Sequence, residues 1–320
     1  MKPMKKIALE EHFITAPFEE YETNIEEGRK AAASQDINLR LPEFDQLRLE
    51  AMDKAGIEIS VLSMTSPGLQ AEKDAAIAGQ KAVEANDFLA GVIARHPKRF
   101  AGFAHLALQE PEAAIKELKR CVKEHNFKGA MINGHTNGVY LDDECYKGFW
   151  EAVASLDVPI YLHPADAFEM PQSYHDYPML RGAMWGWGVE TATHALRLIL
   201  SGLFDRLPTV KVILEHMGEA LPFMLWRLDS RFQLSEPTRP LQKLPSQYLK
   251  ENFIVTTSGA CDNAPLQCCL TAMGEDNVLF STDYPFESAQ IAADFIDSAP
   301  LSEELRAKIC YQNAERILKL

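Results

Sequence analysis

VPIYLHP, residues 158–164, is a short apolar run that closes on a histidine and a proline. Near-continuous apolar character over strand length suits a parallel strand covered on both faces. Seven other runs share it: KKIALEEHF (5–13), EISVLSM (58–64), FAGFAHLAL (100–108), KGAMING (128–134), VKVILEHMG (210–218), FIVTTSG (253–259) and NVLFSTDYPF (277–286). Helical periodicity fills gaps between them, in 42–56, 73–96, 111–125, 190–203 and 302–320. In the first of these, Phe44, Leu47, Leu49 and Met52 fall largely on one face. Strands alternating with helices predict an α/β fold, a (β/α)8 TIM barrel occupying 1–320 as one domain. An open doubly wound sheet is the alternative. Its dinucleotide-binding form is disfavoured, because no GxGxxG follows the first strand.

Composition narrows the chemistry. The chain has 320 residues, 47% of them hydrophobic, with only 17 Gly and 18 Pro, which excludes a disordered or collagenous chain. Lys and Arg number 32 against 46 Asp and Glu, a net charge of −14. So acidic a chain is a poor partner for nucleic acid or an anionic membrane. An anionic small molecule remains suitable where a site supplies local positive charge. The six cysteines form no CxxC pair, MKPMKKIALEEHF lacks the apolar core of a signal peptide, and no apolar run is long enough to cross a membrane. A cytoplasmic protein with free thiols is expected.

Two stretches exceed the minimal βα repeat. Residues 14–41 follow the first strand and 165–188 the fifth, so both are βα loops on the face where such barrels place their sites. The second loop carries Tyr174, Tyr177, Trp185 and Trp187, enough to wall a pocket for a flat ring.

The barrel makes a further expectation specific, because reacting groups should stand at the carboxyl ends of strands. Glu10 and His12 close the first strand, Asn133 the fourth, His163 the fifth, His216 the sixth and Asp283 the eighth. Each has an ordinary explanation alone: His163 as a core histidine, Asp283 as a helix cap. Together on one rim they point to a shared metal site, where two imidazoles and two carboxylates suit Zn²⁺ or Mn²⁺ with a position open to substrate. In HMGEALPFMLWRLDSR (216–231), His216 and Glu219 could form a carboxylate-oriented proton-transfer pair. A helix starting near Gly218 would place Arg227 and Arg231 four apart, to bring positive charge to the rim or to a subunit contact. Of the other histidines, His96 and His125 sit at helix ends, His105 ends the third strand and His135 lies in a loop. His175 is in the long loop and His194 inside a helix.

LEEHF, MING, YLHP, ILEHMGE with WR farther on, TTSG and LFSTDYPF occur in that order along nearly the whole chain. The sequence thereby resembles the amidohydrolase superfamily and, within it, the metal-dependent ortho-hydroxybenzoate decarboxylases of the γ-resorcylate (2,6-dihydroxybenzoate) type. The resemblance implies one divalent ion, Zn²⁺ or Mn²⁺, held by Glu10, His12, His163 and Asp283, and a homo-oligomer, tetramer or dimer. It implies that His216 and Glu219 serve behind the metal and beside the substrate, and that Asn133 touches the substrate. Arg227, Trp185 and Trp187 are further candidates for binding a small aromatic carboxylate such as γ-resorcylate or 2,3-dihydroxybenzoate. Two departures from hydrolytic relatives fit this branch: Glu-x-His replaces His-x-His on the first strand, and no lysine ends the fourth. Asp283 is then the expected proton donor. The rival is a hydrolase on the same barrel, a lactonase or amidase, with Asp283 activating water.

Overall fold

The computed structural model describes residues 4–19 and 31–320, so 20–30 of the first long loop lie outside the described residues. Each of the eight runs contains a strand: β1 (Lys6–Phe13), β2 (Ile57–Met64), β3 (Phe100–Gly102), β4 (Ala130–Asn133), β5 (Ile160–His163), β6 (Val212–Leu214), β7 (Phe253–Thr256) and β8 (Val278–Leu279). All pairings are parallel, in the orders β1-β2-β3 and β4-β5-β6-β7-β8. Parallel bridges Ala104–Ala130 and Glu11–Tyr284 join the two groups at both seams, and the strands run round a TIM barrel.

Alternation along the strands builds two apolar layers. Ile7, Leu9, Val61, Phe103, Met131, Tyr161, Ile213, Ile254 and Leu279 fill the barrel. Their neighbours, among them Ala8, Leu62, Ile132, Leu162 and Val255, pack outward beneath the helices. An irregularity in β1 sets which of its polar side chains enter the barrel. Between Ala8 and Glu11 the register of β1 against β2 slips, the mark of a bulge. Leu9 and Glu10 both donate their backbone N–H to Ser281 Oγ, at 3.2 and 2.7 Å. The extra residue reverses the alternation, so Leu9 and Glu10 both face inward. His12 follows Glu10 inward, while Glu11 turns outward to accept the Thr282 hydroxyl at 2.8 Å.

The helices correct several expectations. Ala31–Arg40, Lys147–Leu156, Pro245–Asn252, Asn263–Met273 and Ala289–Ser298 are helices beyond those read from periodicity. All five are eight to eleven residues long, at or below the shortest window over which a helical period is read. The run 302–320 is helical without a break from Glu303 to Leu318, as its periodicity predicts, with a π-helical turn, Lys308–Gln312, at its middle. That turn aims the Asn313 amide at the carbonyls of Glu275 and Val278, at 2.8 and 3.0 Å. No regular right-handed helix begins at Gly218. His216, Met217, Gly218, Glu219 and Ala220 all take positive φ, and the regular helix is Leu221–Phe232.

Candidate active site

At the carboxyl end of the barrel, three imidazoles surround one carboxylate oxygen. Glu10 is fully buried, and its Oε1 stands 3.8 Å from the Nε2 atoms of His12, His163 and His216 alike. Asp283 closes the group, with Oδ1 3.3 Å from His12 Nε2 and Oδ2 3.9 Å from His216 Nε2. Among the described residues, neither Glu10 Oε1 nor either His12 nitrogen has a hydrogen-bond partner. Buried polar atoms left so are costly unless something else satisfies them. Here carboxylate oxygens and imidazole nitrogens converge within one ion's reach, in two overlapping sets: Glu10 with His12 and His163, and Glu10 with His216 and Asp283. Such a donor set fits one divalent cation. The His163 tautomer is suitable too, since its Nδ1–H donates to the Pro164 carbonyl at 3.0 Å and leaves Nε2 free to ligate.

The groups also set one another's protonation. Burial alone would hold the His12 imidazole neutral, but the adjacent Asp283 and Glu10 carboxylates outweigh it and push its pKa up to about 9. Burial likewise opposes charge on His216, and the Glu219 and Asp283 carboxylates carry its pKa well above the ordinary histidine range. Burial works against an ionised Asp283, yet His12 and His216 keep its pKa below the usual value. His163 is the exception: burial and the neighbouring His12 hold it neutral.

Behind this layer, His216 Nδ1 lies 2.7 Å from Glu219 Oε1. The left-handed turn is what brings both side chains in. By strand alternation Ile213 and Glu215 point into the barrel and His216 would point out; positive φ at His216 (47°) swings it back to the rim. Non-glycine residues in this region of backbone space are strained and mark sites where geometry is imposed. Two glycines make room. A Cβ on Gly188 would meet Glu219 Oε2 at 2.6 Å, and one on Gly259 would meet His216 Cδ2 at 2.8 Å.

Sequence reasoning missed Glu215. It is fully buried, neither carboxylate oxygen has a partner among the described residues, and burial, then the Glu10 charge, raise its pKa well above the carboxylate range. Burial and the Glu10 charge thus favour its protonated form. Its position two residues beyond inward-facing Ile213 was the available signal.

Beside the cluster lies a cleft of about 390 Å³ bounded by Pro67, Asn133, Ala165, Phe168, Arg181 and Trp187, and Asn133 on its wall is the register partner of His163. Asn133 is buried, its amide N–H donating to the Thr65 carbonyl at 3.4 Å while its Oδ1 has no partner among the described residues. The Trp187 ring stands 6.4 Å from that of His163, and its indole N–H donates to Asp166 at 2.8 Å. Arg181 pairs with the same Asp166. Trp185 and Arg227 are not brought together with these groups in this chain: Trp185 is 56% exposed, and Arg227 is exposed on the helix Leu221–Phe232.

Residues 17–320 match the family model described as Amidohydrolase. The chain belongs to the amidohydrolase family. It is 42% identical to a γ-resorcylate decarboxylase of Polaromonas sp. JS666, across 98% of each chain. A crystal structure of dihydroxybenzoic acid decarboxylase from Polaromonas sp. JS666, with bound manganese and the inhibitor 2-nitroresorcinol, superposes with a TM-score of 0.93. That pair shares 42% identity over 100% of this chain and 98% of the other. A 2,6-dihydroxybenzoate decarboxylase complexed with 2,6-dihydroxybenzoate gives 0.92 at 40% identity, over 99% of this chain and 100% of that one. No helix among this amidohydrolase's described residues is long and apolar enough to cross a membrane.

Proposed function

We propose that this amidohydrolase, a single barrel domain over 1–320, is a metal-dependent, non-oxidative decarboxylase of an ortho-hydroxybenzoate, γ-resorcylate or 2,3-dihydroxybenzoate in class. The observation that carries the reading is Glu10 Oε1, without a hydrogen-bond partner among the described residues and ringed by three imidazole nitrogens, beside a cleft that Trp187 and Asn133 help to line. Glu10, His12, His163 and Asp283 are the ligands of one Mn²⁺ or Zn²⁺. When bound, that ion supplies a Lewis acid for the substrate's carboxylate and neighbouring phenolate oxygens, and stabilises the charge that develops on the latter.

The chain's own residues do the rest. Trp187 and the cleft wall hold the ring, and Asn133 Oδ1, an acceptor without a partner among the described residues, takes a hydrogen bond from a substrate hydroxyl. His216, its pKa raised by Glu219, gives a proton to Asp283 Oδ2 once the two close from 3.9 Å to hydrogen-bond distance. Asp283 delivers it to the ipso carbon. A C–H bond forms there as the ring loses aromaticity. The C–C bond to the carboxylate then breaks, its electron pair returns to the ring, and CO₂ and the phenol leave. The same path run backwards carboxylates a phenol.

Incubating the Mn²⁺-loaded enzyme separately with 2,6-dihydroxybenzoate, 2,3-dihydroxybenzoate, 4-hydroxybenzoate and a simple lactone tests this. CO₂ and phenol should come from an ortho-hydroxy acid only. Lactone hydrolysis without CO₂ release would establish a hydrolase. Elemental analysis should find one ion per chain. Exposed Phe223, Trp226, Leu234 and Tyr177 support a homo-oligomer, dimer or tetramer, since large apolar side chains left in water mark association surfaces. A cytoplasmic location accords with six free thiols.

A further inference from the structure

The other oxygen of Glu10 is held as firmly as the first is left free. Tyr161, fully buried on β5 and pointing into the barrel two residues before His163, donates its hydroxyl to Glu10 Oε2 at 2.5 Å. The same phenol oxygen lies 3.0 Å from Thr256 Oγ1 on β7. Thr256 Oγ1 lies 2.9 Å from Ser258 Oγ, and Ser258 Oγ accepts the His216 backbone N–H at 3.3 Å. A continuous line of hydroxyls thus crosses the barrel floor, from the Glu10 carboxylate to the backbone of the strained His216 turn.

We propose that Tyr161, braced by Thr256 and Ser258, is a positioning residue that fixes the Glu10 carboxylate so that Oε1 alone faces the imidazoles. A carboxylate rotates easily about its last torsion, which is broad and weakly restrained. Freed from Tyr161, it could present both oxygens to a cation or turn away. A short charge-assisted O–H···O⁻ bond in a buried setting removes that freedom. The phenol can serve so only because Thr256 supplies the second contact that a buried hydroxyl seeks. The line also couples two ends of the site: a shift of Glu10 is felt at His216 through three hydroxyls. Groups that orient ligands in this way typically change metal affinity or activity by about 10–100-fold when removed.

The inference rests on Glu10 being a ligand, so the experiment separates the two. Mn²⁺ dissociation constants are measured on the full chain by chelator competition, with the Mn²⁺ spin-resonance spectrum and the melting temperature of the ion-free form. The proteins compared are the parent, Tyr161→Phe, Thr256→Val, Thr256→Ser and Glu10→Ala. Tyr161→Phe should bind Mn²⁺ about 10–100-fold more weakly and change the spectrum. Thr256→Val should weaken it several-fold, with Thr256→Ser close to the parent. Should Tyr161→Phe fail to fold, the contrast of Thr256→Val with Thr256→Ser decides. Parent-like affinity and spectrum in Tyr161→Phe, with only a lower ion-free melting temperature, would overturn the positioning role while Glu10→Ala still loses the ion. Parent-like Mn²⁺ binding by Glu10→Ala would overturn the ligand assignment, and this inference with it.

Discussion

Asp283 must do two things that pull its charge in opposite directions. Beside His12 and His216 it is held ionised, which suits a ligand, yet a proton donor must first be protonated. His216, 3.9 Å from Oδ2, resolves the conflict only by giving up its proton, which removes the charge that held Asp283 ionised. Asp283→Asn keeps an oxygen ligand but has no proton to deliver. It should retain most of its metal and bind substrate analogues, while decarboxylating and exchanging deuterium into the phenol almost not at all. Metal content, analogue binding and turnover on one preparation check this; substantial turnover by the loaded variant would transfer the donor role to His216. His216→Asn should leave metal occupancy near one while lowering turnover by about 10²–10⁴-fold, the usual effect of a positioned proton-transfer group. Metal lost in step with activity would instead make His216 a ligand.

At the scale of an element, the loop leaving β7 controls the histidine on the neighbouring turn. Gly259 has φ +57°, and an added Cβ would stand 2.8 Å from His216 Cδ2 and 3.1 Å from Nε2. Gly259→Ala should therefore displace the imidazole as well as strain the backbone. Gly274, at φ +89° with nothing within 4 Å of its added Cβ, supplies the control. Gly259→Ala should lose about 1–2 kcal/mol of stability from the forced positive φ, and Gly274→Ala, in a region essentially open to glycine only, about 1–3 kcal/mol. Turnover should fall in Gly259→Ala alone. Equal turnover in the two would mean that the His216 position is not what Gly259 protects.

For the whole molecule, two histidines outside the cluster contribute to acid sensitivity alongside His163 within it. His105 and His194 are buried, each accepts a backbone N–H at Nε2, from Leu69 and Leu141 at 2.9 Å, and burial pushes both pKa values down to about 3. A protonated Nε2 cannot accept those bonds. Unfolding restores an ordinary value near 6.5, so below that pH the unfolded chain binds protons the native one refuses. Their stabilisation is complete above about pH 6.5 and is lost toward pH 3, at about 1.4 kcal/mol per pH unit for each histidine. The melting temperature of the ion-free protein should fall accordingly from pH 6.5 to 4. His194→Gln can still accept the Leu141 N–H but cannot titrate, so its acid limb should be shallower. An unchanged slope would remove His194 from the account.

Much of this was legible in the linear chain, and for a clear reason. A barrel strand buried on both faces must be apolar until it reaches the rim, so the runs at 158–164 and 277–286 mark both the strands and the places where polar groups begin. The sequence alone therefore determined eight strands, one rim, and Glu10, His12, His163, His216 and Asp283 as its polar residues. It could not show which of them face one another. The bulge held by Ser281 is a contact across 271 residues, and it decides whether Glu10 or Glu11 enters the barrel. The left-handed turn that brings in His216, and leaves Glu215 buried beneath it, depends on space at Gly259 and on Ser258. Strand alternation is local, since each residue constrains its neighbours. A reversal of alternation costs backbone strain or an unpaired amide, and only partners from distant strands can offset that cost.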